Sequence, residues 1–200
     1  MLDIDGLDIR TRRHHQVRDQ ILEAAWDLAE ERGVAGLSLR ELARRVGMRA
    51  PSLYNYFGSK DDLFDAMFLQ GFLQLEEEAT AWTREVADLD VEEALSVSLQ
   101  RWVRFCQESV ARYQLMFTQA VPGWRPSPEA YSASRRQYEA MEEALGRLGL
   151  GGRQALDLYT AVAAGLAAQQ LANDPTGDRW VSLAPQAARL LAANTEGSRP

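Results

Sequence analysis

Ser52, Tyr54, Asn55 and Tyr56 fall within five consecutive positions, with Arg49 just before them and Lys60 just after. None of these residues has the partners of a catalytic nucleophile. The two histidines, His14 and His15, are adjacent near the start of the chain, and no Ser-His-Asp set, glycine-rich phosphate loop or paired-carboxylate site can be assembled around them. Cys106 is the only cysteine, which excludes an intrachain disulfide and a cysteine-rich metal site. The expectation is therefore no enzyme, no cofactor and no metal. What the segment offers is binding chemistry. Hydroxyl, phenol, amide and cationic groups on one short stretch suit phosphate oxygens, base edges and thymine methyls.

The charge pattern agrees with that expectation once it is divided. The net charge is -7, which argues against a polyanion partner for the chain as a whole. Residues 9–60, however, carry ten basic and six acidic side chains, whereas residues 61–200 carry twelve and twenty. Phosphate attraction fades over roughly 8–10 Å in physiological salt, so the charge of the contacting segment decides. No run of about twenty apolar residues is present, and the first thirteen positions lack an apolar stretch. The expected setting is the cytoplasm, with no membrane partner.

These residues must be positioned by helices, because apolar spacing of three and four recurs along the chain and sustained alternation does not. A first helix is expected from Gln16 to Arg32, ended by Gly33. Ser38 and Glu41 read as a capping box for a second, which Gly47 stops. Pro51 suits the first turn of a third, from Ala50 to Tyr56. Further helices follow near Lys60–Val86, Val91–Val110, Arg112–Gln119, Pro128–Leu148, Arg153–Asn173 and Leu183–Ala193, with Ser59, Asp90 and Ser127 at their starts. The sum is an all-α fold of about nine helices.

Two short helices joined across Gly47 fit a helix-turn-helix. A generic helical hairpin has the same apolar spacing, and the outer face of the third helix separates the two. Leu53 and Phe57, four apart, turn inward and leave Ala50, Pro51, Ser52, Tyr54, Asn55 and Tyr56 outside. Two tyrosines are a poor choice for a face that meets only water.

The stretch Gly36-Leu-Ser-Leu-Arg-Glu-Leu-Ala43, followed by Val46 to Phe64 with its Leu53-Tyr54-x-Tyr56-Phe57-x-Ser59-Lys60 run, resembles the DNA-binding domain of the tetracycline-repressor (TetR) family. The resemblance implies an N-terminal three-helix DNA-binding domain and a C-terminal helical domain for ligand binding and dimerisation. It places a flexible arm at residues 1–15, the DNA-binding domain at 16–62 and the second domain at 63–200. Arg40 would reach a base edge, Ala50, Pro51 and Ser52 would form the nose of the recognition helix, Tyr54 and Tyr56 would position the backbone, and Asn55 would lie on the same DNA-facing side. Lys60 and Ser38 would meet phosphates. Arg49 stands where the family often has a Ser or Thr cap, and it would add a phosphate or base contact.

In the second half the resemblance is architectural. It implies a homodimer formed by the last two helices, with Ala161, Ala164, Gly165, Ala168, Ala187 and Leu191 at the interface. Trp102, Phe105, Tyr113, Met116, Phe117, Tyr138 and Tyr159 are the candidates for a mostly apolar effector pocket. The function implied is a repressor released from a palindromic DNA operator by a small, largely apolar ligand. A ligand-responsive activator, and a small-molecule binding protein with a vestigial DNA module, stay open as alternatives.

Overall fold

The computed structural model describes residues 9–196, with side chains from 11 to 193. Among these residues nine α-helices and two 3-10 turns account for all regular structure, and there is no strand. The helices are α1 (Ile9–Arg32), α2 (Leu39–Arg45), α3 (Ala50–Leu53), α4 (Lys60–Glu85), α5 (Val91–Glu108), α6 (Val110–Phe117), α7 (Pro128–Arg147), α8 (Arg153–Asn173) and α9 (Ala184–Glu196). The 3-10 turns are Val34–Gly36 and Val181–Leu183. Among the described residues no helix is long and apolar enough to cross a membrane.

The chain divides into two compact units, and the first is discontinuous in sequence. It joins the segment up to Gln70 with Ala111–Ala130, and the second holds Gly71–Val110 and Tyr131 onward. The contiguous boundary expected at residue 62 or 63 differs from this arrangement. In the first unit α1 buries Ile21, Leu22, Ala25 and Leu28, α2 buries Leu42 and Ala43, and α4 buries Leu63, Phe64 and Met67. Each fully buried Leu, Ile, Phe or Met among them contributes about 1.5–3 kcal/mol. The distant segment adds its own ties. The Trp124 indole N–H donates to Asp65 at 3.2 Å, its ring meets Phe64 and Phe68 edge-on, and the Ala111 amide donates to the Glu30 carboxylate at 3.2 Å.

In the second unit α5 packs against α8 and α9 around Leu95, Leu99, Val103, Leu156, Leu166 and Ala188. Gln170 is its one fully buried polar side chain among the described residues, and its amide holds the loop between α8 and α9. The oxygen accepts from the Trp180 amide at 2.8 Å and the Val181 amide at 3.2 Å. The nitrogen donates to the carbonyls of Asp174 and Gly177.

Several helix starts match the sequence signals. Ser59 accepts from the Asp62 amide at 3.0 Å, Asp90 from Glu93 at 2.9 Å, and Ser127 from Ala130 at 3.2 Å. The box at Ser38 is different. Ser38 occupies the N-cap position but its side chain makes no capping bond, because Glu41 turns away to Arg32 at 3.5 Å and Arg44 at 3.9 Å. The first helix also begins earlier than Gln16, at Ile9, since nothing in that stretch breaks a helix and its side chains find a partner described below. Of the arm expected at residues 1–15, residues 1–8 lie outside the described residues and residues 9–15 are helical.

Candidate nucleic-acid interface

The interface is built by the turn between α2 and α3. After Arg45 the chain closes α2 with two crossed bonds, Met48 N–H to the Ala43 carbonyl at 2.8 Å and Gly47 N–H to Arg44 at 3.2 Å. This closure needs a left-handed residue, and Gly47 supplies it with φ 70°. A side chain there would be strained, so the angle between the two helices depends on this glycine. α3 itself is shorter than expected. It spans Ala50–Leu53, and Tyr54 to Tyr56 continue as a turn held by Tyr56 N–H to the Leu53 carbonyl at 2.9 Å.

Burial sorts the predicted contacts. Leu53 and Phe57 are in the core, as their spacing requires. Arg40, Arg49, Pro51, Tyr54 and Asn55 are exposed, and Ser38, Ala50, Ser52, Tyr56 and Lys60 are half-buried on the same α2-to-α4 segment. Arg40 and Arg49 make no ion pair among the described residues. Arg45, by contrast, is engaged by Glu31 at 2.5 Å. Their hydrogen bond lowers the Glu31 pKa and raises that of Arg45. The segment therefore presents two guanidiniums without an ion pair, Arg40 on α2 and Arg49 just ahead of the exposed Pro51, Tyr54 and Asn55. Lys60 is tethered, its ammonium donating to the Ala35 carbonyl at 3.3 Å and lying over the Phe64 ring at 5.1 Å. It stands at the first residue of α4, beside Asp61 and Asp62 of the first turn, where the helix dipole favours an anion.

Two contacts were missed in the sequence. The His14 ring stacks on Tyr56, and the Arg18 guanidinium lies over Phe57 at 4.8 Å. The available signal was the four-residue spacing of His14 and Arg18, which puts both on one face of α1.

The candidates for an effector pocket fall into two groups. Tyr113, Met116 and Phe117 belong to the first unit, with the Tyr113 and Phe117 rings 6.0 Å apart. Trp102, Phe105, Tyr138 and Tyr159 belong to the second. Trp102 stacks on Phe105 at 6.3 Å and donates its indole N–H to the Ala163 carbonyl at 2.9 Å. Tyr159 is buried, which pushes its hydroxyl up to about 12 and keeps it protonated. Tyr138 is exposed and donates to Asp157 at 3.4 Å.

On the last two helices Ala161, Ala164, Gly165 and Ala168 share an exposed face of α8, and Leu158 extends it. Ala187 is half-buried on α9. Leu191 is a correction: it sits in the core of its own chain, 5% exposed, and its neighbour Leu190 is 71% exposed. One residue along a helix is a rotation of about 100°, enough to exchange the inner and outer faces.

The family described as bacterial regulatory proteins, tetR family, matches over residues 21–67. The HTH-type transcriptional regulator Rv1816 of Mycobacterium tuberculosis is 29% identical over 122 residues, covering 60% of this chain and 51% of that protein. The class A tetracycline repressor protein from transposon 1721, of Escherichia coli, is 47% identical over 47 residues, or 24% of this chain and 22% of that protein. The chain thus spans about half the length of the first of these relatives and less of the second. Among solved structures, the putative regulatory protein SCO4313 superposes with a TM-score of 0.75 at 22% identity, covering 91% of this chain and 98% of that one.

Proposed function

We propose that this chain, whose residues 21–67 match the tetR family of bacterial regulatory proteins, is a helix-turn-helix transcription regulator that acts as a homodimeric repressor released from a palindromic operator by a small, largely apolar ligand. The observation that carries the DNA half of this reading is the uncompensated, outward-facing set Arg40, Arg49, Pro51, Tyr54 and Asn55. Arg40 reads a base edge, for which guanine is the commonest partner. Arg49 and Ser52 add phosphate or base contacts, Ala50 and Pro51 offer apolar ones, and Ser38, Tyr54, Asn55, Tyr56 and Lys60 fix the register on the backbone.

Dimerisation is supported by the exposed small-residue face of α8 together with Leu158 and Leu190, which a second copy would cover. Ala187 is half-buried against the core of its own unit. A two-fold dimer presents two reading heads, whose helices must stand roughly 34–36 Å apart to enter successive major grooves. Release then requires only that the ligand favour a state with a different separation. The effector reading rests on the aromatic side chains of α5 and α8 in the second unit, Trp102, Phe105 and Tyr159.

Selection of bound DNA from a random pool by the full chain tests the reading directly. The expected product is a palindrome, and Arg40→Ala should relax one symmetric base pair at a cost of about 1–3 kcal/mol per half-site. A pool with no enriched sequence would overturn the reading. Calorimetry adds a second check, since operator must weaken ligand by the factor by which ligand weakens operator.

A further inference from the structure

α1 does more than supply core residues. His14 lies nearly flat on Tyr56, with ring centroids 4.6 Å apart and planes at 24°, and its Nε2 stands 3.5 Å from the Asn55 carbonyl oxygen. One turn along, Arg18 covers Phe57. Three consecutive residues, Asn55 to Phe57, are therefore held by one face of α1. They form the turn that closes α3, and the hydrogen bonds within that turn are few and short-range, such as Asn55 N–H to the Ser52 carbonyl at 3.3 Å. The exposed Tyr54 and Asn55 side chains depend on this turn for their direction.

We propose that His14 is a positioning residue of the DNA-reading head, holding Tyr56 and the Asn55 carbonyl in place, and that it holds them more firmly when protonated. Operator binding then tightens as His14 takes up its proton. This rests on the reading that α2 and α3 meet DNA.

The physical case has two parts. A neutral imidazole carries one N–H, on either nitrogen, whereas the imidazolium donates from both, so Nε2 then always offers a proton to Asn55. A cation stacked on a phenol ring also gains attraction from the ring's electron-rich face. The segment on which it packs does not oppose the charge, although Arg18 on α1 does. The segment 50–59 against which His14 packs contains no acidic or basic side chain, and its ionisable groups are Tyr54 and Tyr56 alone. On α1 the neighbours are His15, edge-on at 6.2 Å, and Arg18 one turn away. His14 and His15 are the only histidines in the chain.

The test compares the full chain with His14→Phe and His14→Lys, all carrying His15→Gln, by operator titration at pH 6 and pH 8. The parent should bind roughly two- to fivefold more tightly per reading head at pH 6. His14→Phe keeps a ring on Tyr56 and should bind like the parent at pH 8 without the gain at pH 6. His14→Lys keeps a charge without the ring and should bind more weakly than the parent at pH 6. A lysine variant that matches the parent there would overturn the positioning role, because charge alone would suffice. In the DNA-free protein, NMR should show the Tyr56 ring and the Asn55 and Tyr56 amides shifting along the His14 titration. Silent resonances would overturn the joint itself. A parent that binds operator equally at both pH values refutes this proposal alone, whereas a parent that binds no DNA refutes the functional reading with it.

Discussion

Gln170→Leu should be among the most damaging single changes in the second unit, although it replaces a polar side chain by an apolar one of similar size. The Gln170 oxygen is the acceptor for the amides of Trp180 and Val181, and its nitrogen serves the carbonyls of Asp174 and Gly177. Gly177 keeps a second donor in Gln107 at 2.9 Å, so its loss is partial. The Val181 amide has no replacement at this buried site, whereas the half-buried Trp180 amide regains water in part. Each unsatisfied buried donor costs about 1–3 kcal/mol. Added apolar burial offsets part of this, leaving a net loss of about 2–4 kcal/mol. For a chain of this size that is a drop in Tm of about 5–15 °C. Urea unfolding measures the loss, and hydrogen exchange at Trp180 and Val181 locates it. Gln170→Glu is the informative companion, because it keeps the acceptor and loses the donor, and so should keep those two amides protected while still destabilising the loop. A leucine variant that loses less than about 1 kcal/mol, with both amides as slow as before, would refute the argument.

Three further outcomes follow from named contacts. Gly165→Leu puts a large side chain on an exposed face where a Cβ meets nothing within 4 Å in its own chain, so melting should hold while sedimentation reports a monomer and operator affinity collapses; a variant that stays dimeric moves the interface elsewhere. Lys60→Ala should flatten the salt dependence of operator binding by about two units per dimer with base preference unchanged, and a changed consensus would contradict a phosphate role. Tyr159 titrates near 12 when folded against 10.0 when free, so the unfolded chain loses its proton first. Stability should be full below about pH 10 and fall by up to about 3 kcal/mol as pH climbs towards 12, and Tyr159→Phe should lose that part of the alkaline decline in a pH series of urea melts.

Much of this architecture was legible because it is written in local signals. Ser59, Asp90 and Ser127 cap the helices they precede, and Gly47 closes α2 as a left-handed residue must. The run Leu53 to Phe57 gives its inward and outward faces directly from spacing. What failed depended on distant partners. Glu41 could complete the capping box only if no arginine drew it away, and Arg32 lies on another helix. Whether Leu190 or Leu191 faces the core is a matter of helical phase, which two adjacent leucines leave ambiguous. The brace from His14 to Tyr56 joins residues 42 positions apart. No periodicity within either segment records that meeting.

The discontinuity of the first unit has a consequence for how the protein is made. The helices that carry the reading face leave the ribosome early, yet their core includes Trp124 against Phe64 and Phe68, and Glu30 waits for the amide of Ala111. Until those residues emerge, the nascent head exposes the apolar rings they will cover. It therefore closes late in synthesis, after α5 has already been made. The same dependence bears on transplanting the head to another regulator. A graft cut after Gln70 would leave behind the segment that finishes its core, and the foreign body would have to supply an equivalent of Trp124 or accept a loosened reading helix.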